Sequence, residues 1–269
     1  MIELGIRAHD IGKFSPLELA QKAKEYGFQG VQLVFPKALD LDDPFTKLDL
    51  IKEAFTDPKI MMLGAYFNMV HPDPKVIEDG LANFKRHLDI APKLGVSYVG
   101  TETGSLMGSP WGYLKENHDE ATFFKAVKIV EELVVHAKKA GSVVAIEGAF
   151  NHVVYQPKLI RRLLDIINSN QLKVTVDLFN YLNLDNYQNR MEILQECLDL
   201  FPSDIVIYHL KDFIVTDQGL KQVGLGQGLM DYPRIIKTIK QVTPDAFLIF
   251  EGVTGEDISS SFELINSLL

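Results

Sequence analysis

Four apolar runs in the second half of the chain each finish on a side chain that can bind a metal ion or move a proton. VVAIE ends in Glu147, LKVTVD in Asp177, IVIYH in His209 and FLIFE in Glu251. Side chains of an extended strand alternate between faces, so each terminal group points the same way as the residues two and four before it. If these runs are staves of one barrel, all four groups can face its axis together. Carboxylates crowded there without a cation would raise one another's pKa. A divalent metal ion relieves that conflict. Oxygen donors with one imidazole suit Mn²⁺, Mg²⁺ or Co²⁺ with open positions, more than the sulfur-and-nitrogen set of structural Zn²⁺. Mn²⁺ is the first choice, with Mg²⁺, Co²⁺ and Zn²⁺ as alternatives. Each residue alone also has an ordinary reading: Glu147 or Glu251 as a paired surface carboxylate, Asp177 as a cap for the following turn, His209 as a hydrogen-bonded core histidine. Taken together, four such endings favour a site.

Something must bring those endings to one place. Short apolar runs alternate with longer amphipathic ones along the whole length: IELGIRA, GVQLVF, IMMLGAYF and VSYVGTE come before the four runs above. Helical patterns fall between them, over 16–26, 74–94, 120–140, 157–168, 187–200 and 232–242. Ser15-Pro16, Asp73-Pro74 and Asp231-Tyr232-Pro233 each set a capping side chain just before a first-turn proline. Strand and helix alternating about eight times over a chain of this length predict a single (β/α)8 TIM barrel, one domain over 1–269, with the reacting groups at the C-terminal ends of its strands. The rival, an open doubly wound sheet, lacks its phosphate fingerprint: DIGKFSP follows the first strand, with neither GxGxxG nor GxxxxGK[ST].

Composition excludes several classes. With 46% hydrophobic and 23% charged residues the 269-residue chain has the balance of a globular protein, and a net charge of -9 argues against a nucleic-acid groove. No apolar run reaches the roughly 20 residues of a membrane span. The opening MIELGIRAH has none of the features of a targeting segment, and the single cysteine, Cys197, forms neither a disulfide framework nor a CxxC site. A cytoplasmic protein acting on a small molecule is the expectation, without nucleic acid or membrane as partner.

The motifs AIEG (145–148), VDLFN (176–180), HLKD (209–212), GLGQG (224–228) leading to Asp231, and FEG (250–252) resemble the xylose isomerase-like TIM barrels. That superfamily of sugar isomerases and epimerases includes relatives of tagatose/psicose 3-epimerase, hydroxypyruvate isomerase and inosose dehydratase. The resemblance covers essentially the whole chain. It implies Glu147, Asp177, His209 and Glu251 as metal ligands, the two glutamates as acid/base groups, and a homodimer or homotetramer as the assembly. It also implies His71 in VHPD and Glu102 in GTETG as pocket residues. Two departures stand out. Asn180 occupies the place of a substrate-facing histidine in DxxH, and 213–219 holds no basic residue where epimerases of the group carry an arginine.

The implied reaction is isomerisation or epimerisation of a small sugar, sugar phosphate or related hydroxy-ketone through an enediolate, with a glutamate removing the proton next to the carbonyl. A dehydratase of a keto-polyol such as an inosose would use the same groups and expel a hydroxyl. An endonuclease IV-like phosphodiesterase shares the barrel but needs further histidines. The long connection 103–117, TGSLMGSPWGYLKEN, holds Trp111 and Tyr113 and reads either as a lid over the substrate or as an anchored surface insertion. GLGQG offers either backbone amides for a phosphate or a turn that needs glycine.

Overall fold

Each apolar run becomes a short strand because its β-branched and aliphatic residues can be buried on both faces. The computed structural model describes residues 2–109 and 111–269. The strands are β1 (Leu4–Arg7), β2 (Gly30–Leu33), β3 (Lys59–Gly64), β4 (Tyr98–Glu102), β5 (Val143–Glu147), β6 (Leu172–Asp177), β7 (Ile205–Leu210), β8 (Asp212–Thr216), β9 (Gly219–Val223) and β10 (Phe247–Phe250). All but β8 and β9 close into a parallel barrel in which β10 follows β7 and pairs back onto β1. The fold is the (β/α)8 barrel that the sequence predicts.

The helices are α1 (Ala8–Ile11), α2 (Pro16–Glu25), α3 (Phe35–Ala38), α4 (Leu48–Ala54), α5 (Pro74–Ile90), α6 (Glu120–Ala140), α7 (Pro157–Ile167), α8 (Arg190–Leu200), α9 (Tyr232–Val242) and α10 (Asp257–Leu268). The cap signals work as read. Ser15 Oγ accepts from the amide of Glu18, Asp73 Oδ1 from that of Lys75 at 2.8 Å and Asp231 Oδ1 from that of Arg234 at 3.2 Å. The predicted pattern over 74–94 stops earlier, at Ile90, and Pro92–Leu94 tightens into a 3₁₀ turn, since a proline cannot continue the helix. Within the described residues no helix is long and apolar enough to cross a membrane.

The core has two layers. The larger lies between the strands' outer faces and the helices, and a second, smaller cluster fills the barrel: Met61, Met62, Ala145, Ile207 and Ile249. Strict alternation could not put both methionines inside. The pairing of β2 with β3 slips between Val31↔Ile60 and Gln32↔Met62, leaving Met61 as an extra, bulged residue. Glycines make room for the two thioethers. A Cβ on Gly5 or Gly30 would come 2.6 Å from Met61, and one on Gly100 would come 2.5 Å from Met62. The residues two before Glu147, His209 and Glu251 are Ala145, Ile207 and Ile249, so the interior cluster fixes the direction in which those three groups point.

β8 and β9 form an antiparallel hairpin between β7 and α9. The sequence signals here are the lack of an arginine over 213–219 and a turn. Its residues Asp217-Gln218-Gly219 sit between two β-rich runs.

Candidate active site

Glu147, Asp177 and His209 lie in the last turns of β5, β6 and β7, and Glu251 directly follows β10, all at one mouth of the barrel. All four are buried. His209 sits between carboxylates: its Nδ1 is 2.9 Å from Glu251 Oε2, 3.1 Å from Glu147 Oε2 and 4.0 Å from Asp177 Oδ2. Burial by itself would lower the imidazole, but Glu147 and Glu251 outweigh it and hold the group up at about 10.

Two cations missed in the sequence complete the cluster. Lys211 Nζ lies 2.8 Å from Asp177 Oδ2 and 2.8 Å from Glu251 Oε1, and Arg7, the last residue of β1, puts Nη1 2.7 Å from the same Glu251 oxygen. Burial pushes the Glu251 carboxyl up, yet Lys211, His209 and Arg7 together hold it well below the usual range. Asp177 ends up at about 6, because burial and the neighbouring glutamates exceed what Lys211 returns. Lys211 could have been found by parity, since it follows His209 by two residues. Arg7 stands at a strand end like the others. Asp10 holds it in place through bonds of 3.0 and 2.8 Å and also accepts from the Gly252 amide at 2.6 Å.

Asn180 joins this network. Its amide Nδ2 donates to Glu147 Oε1 at 2.5 Å, and its Oδ1 accepts from Lys211 Nζ at 3.1 Å. Asp177 caps the turn, its Oδ1 accepting from the Asn180 amide at 3.1 Å, while Oδ2 faces His209 and Lys211. Glu102, the last residue of β4, pairs in register with Glu147. Burial, and then the Glu147 charge, holds its carboxyl well above the ordinary value. His152, unforeseen, lies 3.7 Å from Glu102 and is lowered to about 4, chiefly by burial. The Trp111 ring stands edge-on to His152 at 5.5 Å. The structure does not bring His71 to this group. Its Nδ1 accepts from the Asp73 amide at 3.0 Å, which ties it to the start of α5, and it does not line the cavity.

The connection 103–117 is anchored from beneath. Asn68 Nδ2 donates to the Ser105 and Gly108 carbonyls, and Asn117 Nδ2 donates to Ser105 Oγ and to the Gly112 and Asn151 carbonyls. The Tyr113 ring stacks on Phe150 at 5.4 Å. This favours a fixed wall over a swinging lid; Pro110, within the expected lid, lies outside the described residues. GLGQG resolves as well. Asp212 accepts from the amides of Phe213, Gly226, Gly228 and Met230 at 2.8–3.0 Å, so an internal carboxylate takes the amides that a phosphate would need. Gly226 has a φ of 87°, and a Cβ on Gly228 would come 2.3 Å from Asp212 Oδ1, so both positions require glycine.

The cluster fits a divalent ion. Glu147, His209 and Glu251 offer ligand atoms all within 4.8 Å of one another. Asp177 falls outside that group, and its nearest approach to His209 is the 4.0 Å above. Despite their close contacts, His209 Nδ1, His209 Nε2 and Asp177 Oδ2 are buried without a hydrogen bond of acceptable geometry. Orphaned donors and acceptors among buried carboxylates are what a ligand set presents.

Residues 20–268 match the family model of the xylose isomerase-like TIM barrel. No curated protein sequence matches. Among solved structures, the apo 3-keto-D-glucoside 4-epimerase YcjR from E. coli superposes with a TM-score of 0.75 at 15% identity, over 99% of this chain and 100% of that one. IOLI protein with a bound zinc atom gives 0.75 at 17%, over 99% and 96%. The probable 3-DHS dehydratase AsbF, involved in petrobactin synthesis in Bacillus anthracis, gives 0.72 at 15%, over 98% and 99%. At such identities the likeness is one of fold.

Proposed function

The chain belongs to the xylose isomerase-like TIM barrel family, and on that premise we propose that it is a divalent-metal-dependent isomerase or epimerase of a small carbohydrate ketone. The observation that carries this reading is the pair of glutamates on either side of His209, at 3.1 and 2.9 Å, on the floor of a cavity that both of them line. Glu147, Asp177, His209 and Glu251 would hold the ion, with Mn²⁺ first in order; when bound, it supplies a Lewis acid for the substrate's carbonyl oxygen.

The chain's own groups divide the proton chemistry. A base held by cations is a weak one. Both glutamates contact His209, but Glu251 has two further cations on one oxygen, whereas the other contact of Glu147 is the neutral amide of Asn180. Glu147 therefore takes the proton from the carbon next to the carbonyl. Glu251 serves the other face of the planar enediolate, giving epimerisation, or the neighbouring carbon, giving isomerisation. Trp111 and Tyr66 line the same cavity and limit water around the intermediate.

A second reading, dehydration of a keto-polyol, draws on Glu102. Burial keeps this carboxyl protonated well above its ordinary range, as an acid for a departing hydroxyl would need to be. One experiment separates the two: incubation of the Mn²⁺-loaded protein in D₂O with a panel of ketoses, ketose phosphates and inososes. Deuterium appearing by NMR at the carbon next to the carbonyl supports the isomerase or epimerase, and a dehydrated, UV-absorbing product supports the lyase. Exchange that persists in Glu147→Gln would remove that residue from its assigned role.

A further inference from the structure

The cavity above Glu147 and Glu251 has a volume of about 790 Å³, in the range that encloses a drug-sized ligand. It continues past Arg7 and His9 to Lys13, Lys37 and Arg86. The backbone brings the two lysines together. Phe14 and Leu39 form a parallel bridge, with the Phe14 amide donating to Ala38 O at 3.1 Å and the Asp40 amide to Phe14 O at 2.8 Å, so Lys13, one residue before Phe14, and Lys37, two before Leu39, both line one rim.

Both lysines are exposed, and neither forms an ion pair or hydrogen bond through its side chain among the described residues. That is a local excess of cations on a chain whose net charge is -9. The acidic groups on the same rim offset it only in part. Asp43 Oδ1 accepts from the Phe45 amide at 3.2 Å and lies 4.0 Å from Arg86, whose guanidinium rests 3.6 Å over the Phe45 ring; Asp42 is the other carboxylate there. The cations at the opposite, closed end, Arg7 and Lys211, are already engaged by carboxylates. The remaining candidate for an anion, the 224–228 loop, has given its amides to Asp212.

We infer that the substrate carries an anionic group, a phosphate or a carboxylate, on the end remote from its reacting carbonyl, and that this group is received between Lys13 and Lys37. The inference rests on the proposed function for the orientation: the carbonyl end lies over Glu147 and Glu251, and the charged end reaches the rim. A sugar phosphate or a sugar acid meets both requirements, and a free monosaccharide leaves the rim unused.

The test is equilibrium binding, by calorimetry on the Mn²⁺-loaded protein, of three probes that lack a ketone or aldehyde: sorbitol 6-phosphate, gluconate and sorbitol. One charged probe is expected to bind at least about tenfold more tightly than sorbitol, and which one does so distinguishes phosphate from carboxylate. That advantage is expected to fall below about threefold in Lys13→Gln/Lys37→Gln and to persist in Lys13→Arg/Lys37→Arg, since exposed, unpaired side chains can be exchanged without unfolding the barrel. No advantage in the wild type, or one that survives the glutamine variant, overturns the subsite. Because the probes cannot react, the result is independent of turnover. A charge preference without deuterium exchange from any ketose defeats the proposed function and leaves the subsite standing, and exchange of neutral ketoses without a charge preference does the reverse.

Discussion

The two ends of the cavity handle charge in opposite ways. On the floor, built by β5, β6, β7 and the residue after β10, each charged group faces a counter-charge: His209 lies between Glu147 and Glu251, Lys211 between Asp177 and Glu251, and Arg7 between Glu251 and Asp10. On the rim, built by the segments after β1 and β2, Lys13 and Lys37 face solvent without side-chain partners among the described residues. The difference follows from burial. An unpaired charge inside the barrel would cost several kcal/mol, so the floor can exist only as a compensated network, whereas water supports the rim lysines until a ligand arrives. On the proposed function, reactivity lies where charges are held fixed and recognition where they are free.

Substitutions on the floor should therefore be severe, and their severity should follow what each group compensates. The largest effect is expected from Glu147→Gln, which should lower the rate of deuterium exchange by on the order of 10³-fold. Next is Lys211→Met, which strands Asp177 as a buried carboxylate and leaves Glu251 with Arg7 and His209 alone. Chemical denaturation should show a loss of about 3–5 kcal/mol, and Mn²⁺ should restore part of it by supplying the missing positive charge. A wild-type-like stability of this variant would mean that the floor is not a compensated network.

Asp212→Ala tests whether the 224–228 loop is held by an internal anion. Four amides lose their acceptor, and a loss of about 3 kcal/mol is expected by the same measurement. The smallest effect is one of pH. His152 is held at about 4 in the fold, below the ordinary 6.5. Above pH 6.5 it is neutral in both folded and unfolded chains and costs nothing. As the pH falls from 6.5 toward 4 the unfolded chain takes up a proton that the folded one does not, and stability declines. His152→Asn should remove a part of that decline on the order of 2 kcal/mol, read as the difference between wild type and variant in unfolding free energy at pH 7 and pH 4.5.

Much of this is legible in the sequence. Eight apolar runs with helical patterns between them identify the barrel, because hydrophobic period and cap chemistry are local properties of the chain. Parity within VVAIE, LKVTVD, IVIYH and FLIFE brings Glu147, Asp177, His209 and Glu251 to one mouth, since a strand's alternation is also local. The β8–β9 hairpin was missed although its turn was in view, and α4 and α10 lay in stretches whose pattern was not read as helical.

The rest depended on closure. Arg7 and Glu251 are 244 residues apart and meet only because β1 pairs with β10, a contact that no period in the sequence encodes. The bulge at Met61, which lets two consecutive methionines enter the barrel, answers to glycines on three different strands. His71 and Glu102 end neighbouring segments and look alike as pocket candidates, yet one ties down a helix start and the other reaches the cavity. GLGQG could have cradled a phosphate until Asp212 was found occupying its amides. Composition and alternation therefore determined which fold forms and which strands carry its reactive ends. Which charge compensates which was decided by the tertiary structure, because electrostatic energy depends on distances and burial that exist only once the barrel is closed.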